Sequence, residues 1–219
     1  MPRLLFEKAG NAVWISHLDL MRLFQRAFKR AGLQLTHTQG FNPRPSVSSA
    51  LPLSVGIESQ CELLDFDLDS QTVSNVEIQA RLNSALVEGI RVLRVYDNGK
   101  KIGKLAFMDC AVTLMYDRGV PAGAADEILA LFAQDDVIVS KKSKSGPVEQ
   151  NIRPMYRDLQ VAQTGEKNVM ITARICCQNP TLNPAAFAAA IGKYLPELTP
   201  DDSLCRRLAL YDLEDKPFR

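Results

Sequence analysis

The sequence predicts an α+β chain built from two successive units of similar design. Three observations carry this prediction. Hydrophobic residues make up 46% and charged residues 23% of the chain, which suits a folded core and excludes wholesale disorder, collagen-like and coiled-coil classes. The 219 residues hold one large domain or two of about 100 residues each. Runs of period-two hydrophobicity alternate with helical-period segments, and their order recurs after the polar turn Asp97-Asn98-Gly99-Lys100-Lys101.

Residues 4–8 read as a first strand, broken at Gly10-Asn11. Ser16 stands where a helix N-cap belongs, with Asp19 three positions on as a shortened capping-box acid. Leu20, Phe24, Ala27, Phe28 and Ala31 recur at helical spacing, and Gly32 stops the helix. Residues 33–38 read as a second strand. A loop follows at Gly40-Phe41-Asn42-Pro43-Arg44-Pro45. Leu51, Leu53, Val55 and Ile57 alternate as an edge strand limited by Pro52. Residues 62–68 read as a strand, 73–86 as a helix ended by Gly89, and 90–96 as a strand. In the second half the expected elements are a strand over 104–115, a helix over 122–133, a strand over 137–140, a basic loop over 141–154, a strand over 169–177, a helix over 184–195 capped by Asn183, and a strand over 204–211.

Two βαββαβ units in tandem, with antiparallel sheets, are the ferredoxin-like motif used twice. The division then falls at 1–98 and 99–219. Only the order of elements repeats between the halves; a single mixed α+β domain is the competing arrangement.

The net charge of +1 conceals a strong asymmetry. Residues 1–50 hold seven bases (Arg3, Lys8, Arg22, Arg26, Lys29, Arg30, Arg44) and two acids (Glu7, Asp19), a local balance of +5. Residues 51–99 hold three bases and eight acids, a balance of −5. An uneven distribution of this kind points to an anionic partner on one surface.

Several chemistries find no motif. No apolar run approaches the roughly 20 residues needed to cross a bilayer, and the first residues show no signal-like apolar stretch. The five cysteines, Cys61, Cys110, Cys176, Cys177 and Cys205, match no zinc or iron–sulfur spacing and suit a reducing, cytoplasmic setting. With two histidines in the chain, a multi-histidine metal site is excluded. No metal is expected in this chain.

Arg22, Arg26, Lys29 and Arg30 fall on one stripe of the first helix, about 200° from its apolar centre at 100° per residue. On this reading no carboxylate shares the stripe. Four bases so placed suit a phosphate backbone; a solvated helix face is the plainer interpretation. Asn42, Arg44 and Ser46 lie in a loop stiffened by Pro43 and Pro45, which holds a cation, an amide and a hydroxyl outward at low entropic cost. Lys141, Lys142 and Lys144 with Arg153 form a basic arm in the second half. Phe41, Tyr156, Tyr211 and Trp14 are available for stacking on bases. His17 and His37 are the weak candidates for general acid–base catalysis. His17 lies toward the apolar side of its helix, where a histidine more often packs and bonds locally.

Ile15-Ser16-His17-Leu18-Asp19-Leu20-Met21-Arg22, followed by Arg26-Ala27, Arg30-Ala31-Gly32 and Gly40-Phe41-Asn42-Pro43-Arg44-Pro45, resembles the radical SAM-associated (radical SAM-linked) protein family. Leu51-Pro52-Leu53-Ser54-Val55-Gly56-Ile57-Glu58-Ser59 and Asn151-Ile152-Arg153-Pro154 extend the match, which weakens after Arg157. Members of that family are encoded beside, or fused to, a radical SAM protein. The resemblance implies an accessory partner of such an enzyme, acting on RNA or a translation-related substrate. The [4Fe-4S] cluster and S-adenosylmethionine would sit on the partner, since this chain lacks the three-cysteine cluster motif. Family members carry His or Arg between the two loop prolines, and Arg44 keeps a cation there.

Three functions follow as expectations: a non-catalytic RNA-holding module, a metal-independent endoribonuclease resembling CRISPR repeat-processing enzymes, and a protein-only adaptor docking through the acidic 58–69 segment.

Overall fold

In the computed structural model, which describes residues 1–69, 72–143 and 146–219, the chain divides into two units. One is Met1–Lys104 with Phe218–Arg219; the other is Leu105–Pro217. The division after Lys104 falls six residues beyond the expected one between 98 and 99. The last two residues return to the first unit, where the Lys100 N–H donates to the Arg219 carbonyl at 2.9 Å.

The first unit runs β1 (Arg3–Lys8), α1 (His17–Arg30), β2 (Val47–Ser49), β3 (Ile57–Phe66), α2 (Asn75–Ala85) and β4 (Ile90–Tyr96). Its strands lie in the order β4-β1-β3-β2, and these neighbours pair antiparallel. Leu4 and Phe6 on β1, Leu64 and Phe66 on β3 and Val92 on β4 form the apolar sheet face. Leu20, Phe24, Ala27 and Phe28 from α1 and Ile78 and Leu82 from α2 cover it. Each such Leu or Phe, fully buried, contributes about 1.5–3 kcal/mol. Phe6 meets Phe24 edge-on at 4.8 Å between ring centroids, and Phe28 meets Phe66 at 5.0 Å. On the other side of β1, buried Arg3 faces Asp65 across the ladder and holds it with two hydrogen bonds at 2.5 and 2.9 Å. The same guanidinium donates to the Lys100 carbonyl and lies over the Phe218 ring.

Residues 33–38 do not form the expected strand. They make only isolated bridges, Leu35 to Leu68 and His37 to Pro45. The expected edge strand around Pro52 is also absent; β3 begins at Ile57, because Pro52 lacks a ladder donor. The sheet edge is taken instead by the short β2, whose serines hid it from a hydrophobic pattern.

The second unit runs β5 (Leu105–Met115), α3 (Ala124–Phe132), β6 (Ile138–Ser143), β7 (Gly146–Asn151), β8 (Tyr156–Gln163), β9 (Asn168–Cys176), α4 (Ala185–Tyr194) and β10 (Asp202–Asp212). The sheet order is β10-β5-β9-β8, with β6 and β7 pairing apart as a hairpin. The basic segment expected as a loop over 141–154 is therefore mostly hairpin, and Lys144 lies outside the described residues. Strand β8 was not expected. It is an edge strand with mostly exposed side chains, so burial imposed no period-two pattern on it. Tyr156 at its start packs edge-on against Phe132 of α3 and Phe187 of α4.

The α+β class agrees with the sequence reading. Among the described residues no helix is long and apolar enough to cross a membrane.

Candidate nucleic-acid interface

The site is built on α1. Its N-terminus is set by Ser16, whose hydroxyl accepts from the Asp19 N–H at 3.2 Å and donates to the Asp19 carboxylate at 2.7 Å. Just before it, the buried Lys8 ammonium donates to the Ile15 carbonyl at 2.8 Å and fixes where the helix enters. Ala31 caps the helix C-terminus, and Gly32 turns the chain with φ +68°, a conformation that favours glycine. Burial of Leu20, Phe24, Ala27 and Phe28 fixes the rotation of the helix. Arg22, Arg26, Lys29 and Arg30 are consequently exposed together.

The four cations are not equivalent. Arg22 pairs with Asp19 at 3.0 Å, both side chains being well exposed. The expectation of a ridge free of carboxylates is corrected here, since Asp19 lies three residues before Arg22 and reaches it. The Ser16 hydroxyl and then Arg22 hold the Asp19 carboxyl below its ordinary range. Arg30 donates to the carbonyl of Ala85 at 2.5 Å. Ala85 ends α2, so Arg30 satisfies a helix-terminal acceptor. The side chains of Arg26 and Lys29 make no hydrogen bond or ion pair with any described residue, although the charge of Arg26 adds to the pull on the Asp19 carboxyl. A cleft of about 380 Å³ lies beside Arg22, Arg26 and Arg30, with Ile15, Leu23 and Val87 as its apolar parts. Lys29 turns toward a second groove on the opposite flank.

The proline loop is the tip of a hairpin-like excursion. The Thr38 N–H donates to the Arg44 carbonyl and the Ser46 N–H to the Thr36 carbonyl, each at 2.8 Å. The Arg44 N–H donates to the Thr38 hydroxyl at 3.0 Å. Phe41, Asn42 and Arg44 are exposed, whereas Ser46 is half-buried. Phe41 is fully exposed, the position a stacking aromatic needs.

The histidines are not brought together. His17 opens α1 and is half-buried, with its Nδ1 buried and unpartnered. His37 is exposed beyond the other end of the helix and lines the second groove. Fourteen helical residues separate those ends by about 21 Å at 1.5 Å per residue.

The sequence matches the model of an uncharacterized protein family conserved in bacteria (DUF2344) over residues 2–184. The chain belongs to this family. No curated protein sequence matches it. A chain in the crystal structure of a Cbf5-Nop10-Gar1 complex is similar to it at 8% identity and TM-score 0.49, over 94% of this chain and 47% of that one. The protein thus spans about half the length of that chain. A crystal structure of an unknown protein from Galdieria sulphuraria is similar at 13% identity and TM-score 0.25, over 94% and 96% of the two chains. Likenesses of this size carry no shared activity.

In the second unit of this DUF2344 member, the predicted basic arm is only partly an arm. Lys141 is exposed on β6, and Lys142 pairs across the hairpin with Pro147. Arg153 is engaged: its Nε donates to the Gln134 carbonyl at 3.1 Å and its plane lies over the Tyr156 ring. Tyr156 is buried and its hydroxyl donates to the Phe132 carbonyl, so it is a core residue and not a stacking platform.

Sequence reasoning missed a charged cluster on the sheet face opposite α3 and α4. Arg174 holds Asp109 with two hydrogen bonds at 2.8 and 3.1 Å and lies over the Tyr211 ring at 3.7 Å. Arg157 lies over Phe107 at 4.5 Å. Both guanidiniums meet the carboxylate of Asp215. The signal was present: polar residues at alternate positions of strands 105–115 and 168–176 mark one sheet face.

Three buried thiols lack a nucleophilic setting. Burial pushes Cys110 and Cys177 up to about 12 and Cys205 to about 11, which keeps them protonated at neutral pH.

Proposed function

We propose that this chain is a non-catalytic binding module that presents structured RNA, or a translation-related substrate carrying phosphates, to a radical SAM partner. The observation that carries the reading is the exposed cationic face of α1, where the side chains of Arg26 and Lys29 make no hydrogen bond or ion pair with a described residue and Arg22 pairs with an exposed acid. Unpaired cations at helical spacing release counterions when they meet phosphates, and that gives affinity without base readout. Asn42, Arg44 and Phe41 on the adjoining loop add an amide, a cation and a stacking surface. The radical SAM partner, with its [4Fe-4S] cluster and S-adenosylmethionine, enters through the sequence resemblance.

Tandem ferredoxin-like architecture is part of this proposal. Reading β5, α3, β8, β9, α4 and β10 as one βαββαβ series, with the β6–β7 hairpin inserted, gives the second unit the same strand order as the first. In each, the fourth strand lies beside the first, the third beside that, and the second at the far edge.

The other readings draw less support. Separated histidines do not favour a paired-histidine ribonuclease. The acids of the 58–69 segment, proposed for adaptor docking, are largely occupied within the fold. Glu62 is buried, Asp65 is held by Arg3, and Asp67 accepts from Thr36.

The test is RNA binding at low salt by the full chain and by the double variant Arg26→Glu/Lys29→Glu, with co-purification of the radical SAM protein after nuclease treatment. The proposal expects RNA binding that the double variant loses. Binding unchanged by the reversal, or no RNA binding with the partner still captured, overturns it in favour of an adaptor.

A further inference from the structure

The second groove is larger than the arginine cleft and chemically unlike it. Its volume is about 760 Å³, within the roughly 300–1,000 Å³ of small-molecule sites. Leu33, Leu35 and Pro45 supply apolar wall. Gln25, Lys29, Gln34, His37 and Asp69 supply polar groups. None of those five side chains makes a hydrogen bond or ion pair with another described residue. The neighbouring Thr36 behaves differently, since its hydroxyl donates to Asp67. The Asp69 N–H donates to the Gln34 carbonyl at 3.0 Å, which holds the backbone of that wall while no described residue engages the Asp69 carboxylate.

We propose that this groove takes a single unstacked nucleotide, with a preference for guanine. The inference extends the reading of the α1 face as an RNA-binding surface and rests on it for the source of the nucleotide. The apolar wall suits the faces of a heteroaromatic ring, and the amides suit its mixed donors and acceptors. An ionised carboxylate only accepts, so Asp69 selects a base edge carrying N–H groups. Guanine presents a ring N–H and an exocyclic amino group side by side, which matches the two carboxylate oxygens; uracil presents one N–H between two carbonyls. Lys29 lies on the groove and on the cationic helix face at once, and so places the phosphate at the rim. A strand held along α1 can thus deliver one extruded residue into the groove, as RNA readers commonly do with unstacked bases.

The test is titration of the full chain with guanosine monophosphate, uridine monophosphate, ribose 5-phosphate and inorganic phosphate, followed by protein NMR. A short RNA and its counterpart with one abasic residue form a second arm. The proposal expects shifts in the groove residues with guanosine monophosphate, and affinity for ribose 5-phosphate at least about tenfold weaker. Asp69→Asn removes the guanine preference over uracil. Lys29→Gln weakens both nucleotides alike. The abasic RNA binds more weakly than the intact strand. Equal binding of ribose 5-phosphate and the nucleotide, a guanine preference untouched by Asp69→Asn, or no binding of guanosine monophosphate overturns the proposal. The two readings fail separately. RNA bound through Arg26 with no loss at the abasic site leaves the helix face standing and sinks the groove. Nucleotide binding that depends on Asp69, without RNA binding, does the reverse.

Discussion

The cationic face of α1 and the sheet face around Arg174 are both rich in arginine, yet their charges are used in opposite ways. On α1, the side chains of Arg26 and Lys29 are exposed and make no hydrogen bond or ion pair with a described residue. On the sheet, Arg174 is gripped by Asp109 and stacked on Tyr211, and Arg157 and Arg174 share Asp215. Hydrogen bonding to Asp109 raises the pKa of Arg174 further above its ordinary value. The first arrangement leaves attraction for a partner; the second spends it internally. A count of bases cannot separate them, because the deciding variable is whether a carboxylate reaches each cation.

Substitutions that exchange these two conditions test the comparison. Arg174→Ala leaves Asp109 without its bidentate partner and should destabilise the protein by about 2 kcal/mol. Denaturant unfolding measures this, and RNA affinity per folded molecule should not change. Arg26→Glu/Lys29→Glu should do the opposite. Stability stays within about 0.5 kcal/mol, while RNA affinity falls at least about tenfold, equivalent to 1.4 kcal/mol. Ser16→Ala removes the cap that orients α1 and should cost about 1 kcal/mol of stability, seen in thermal unfolding.

The smallest effect comes from Asp19→Asn, which frees Arg22 and makes one paired cation resemble Arg26. RNA affinity should rise a few-fold in filter binding. Acid gives the same change reversibly. The folded-state pKa of Asp19 is depressed, so the stability it contributes is present above its unfolded value. That stability is lost as pH falls through the lower folded value, in the window below about pH 4. Asp19→Asn should remove this acid-side component from a pH–stability profile.

Much of the first unit was legible in the sequence. The spacing of Leu20, Phe24, Ala27 and Phe28, with Ser16 ahead of them, sets both the helix and the direction of its bases. Strand 90–96 is legible at its observed limits, because Ile90, Val92 and Val95 are buried while Arg91 and Arg94 are exposed. What escaped notice lacked a burial pattern. Strand β2 is three residues long, and β8 is a mostly exposed edge. Partnership escaped as well. The contact of Arg30 with Ala85 spans 55 residues of sequence, and that of Arg174 with Asp109 spans 65, so neither is encoded in local spacing. The groove lined by Lys29, His37 and Asp69 gathers residues from three segments for the same reason.

The most direct test of the central claim is photo-crosslinking of bound RNA to the full chain, with mapping of the linked peptides. The account predicts crosslinks within residues 17–46, centred on the exposed face of α1 and the loop at Phe41, and none on the sheet strands carrying Arg157 and Arg174. Crosslinks concentrated on those strands, with α1 unlabelled, would contradict it.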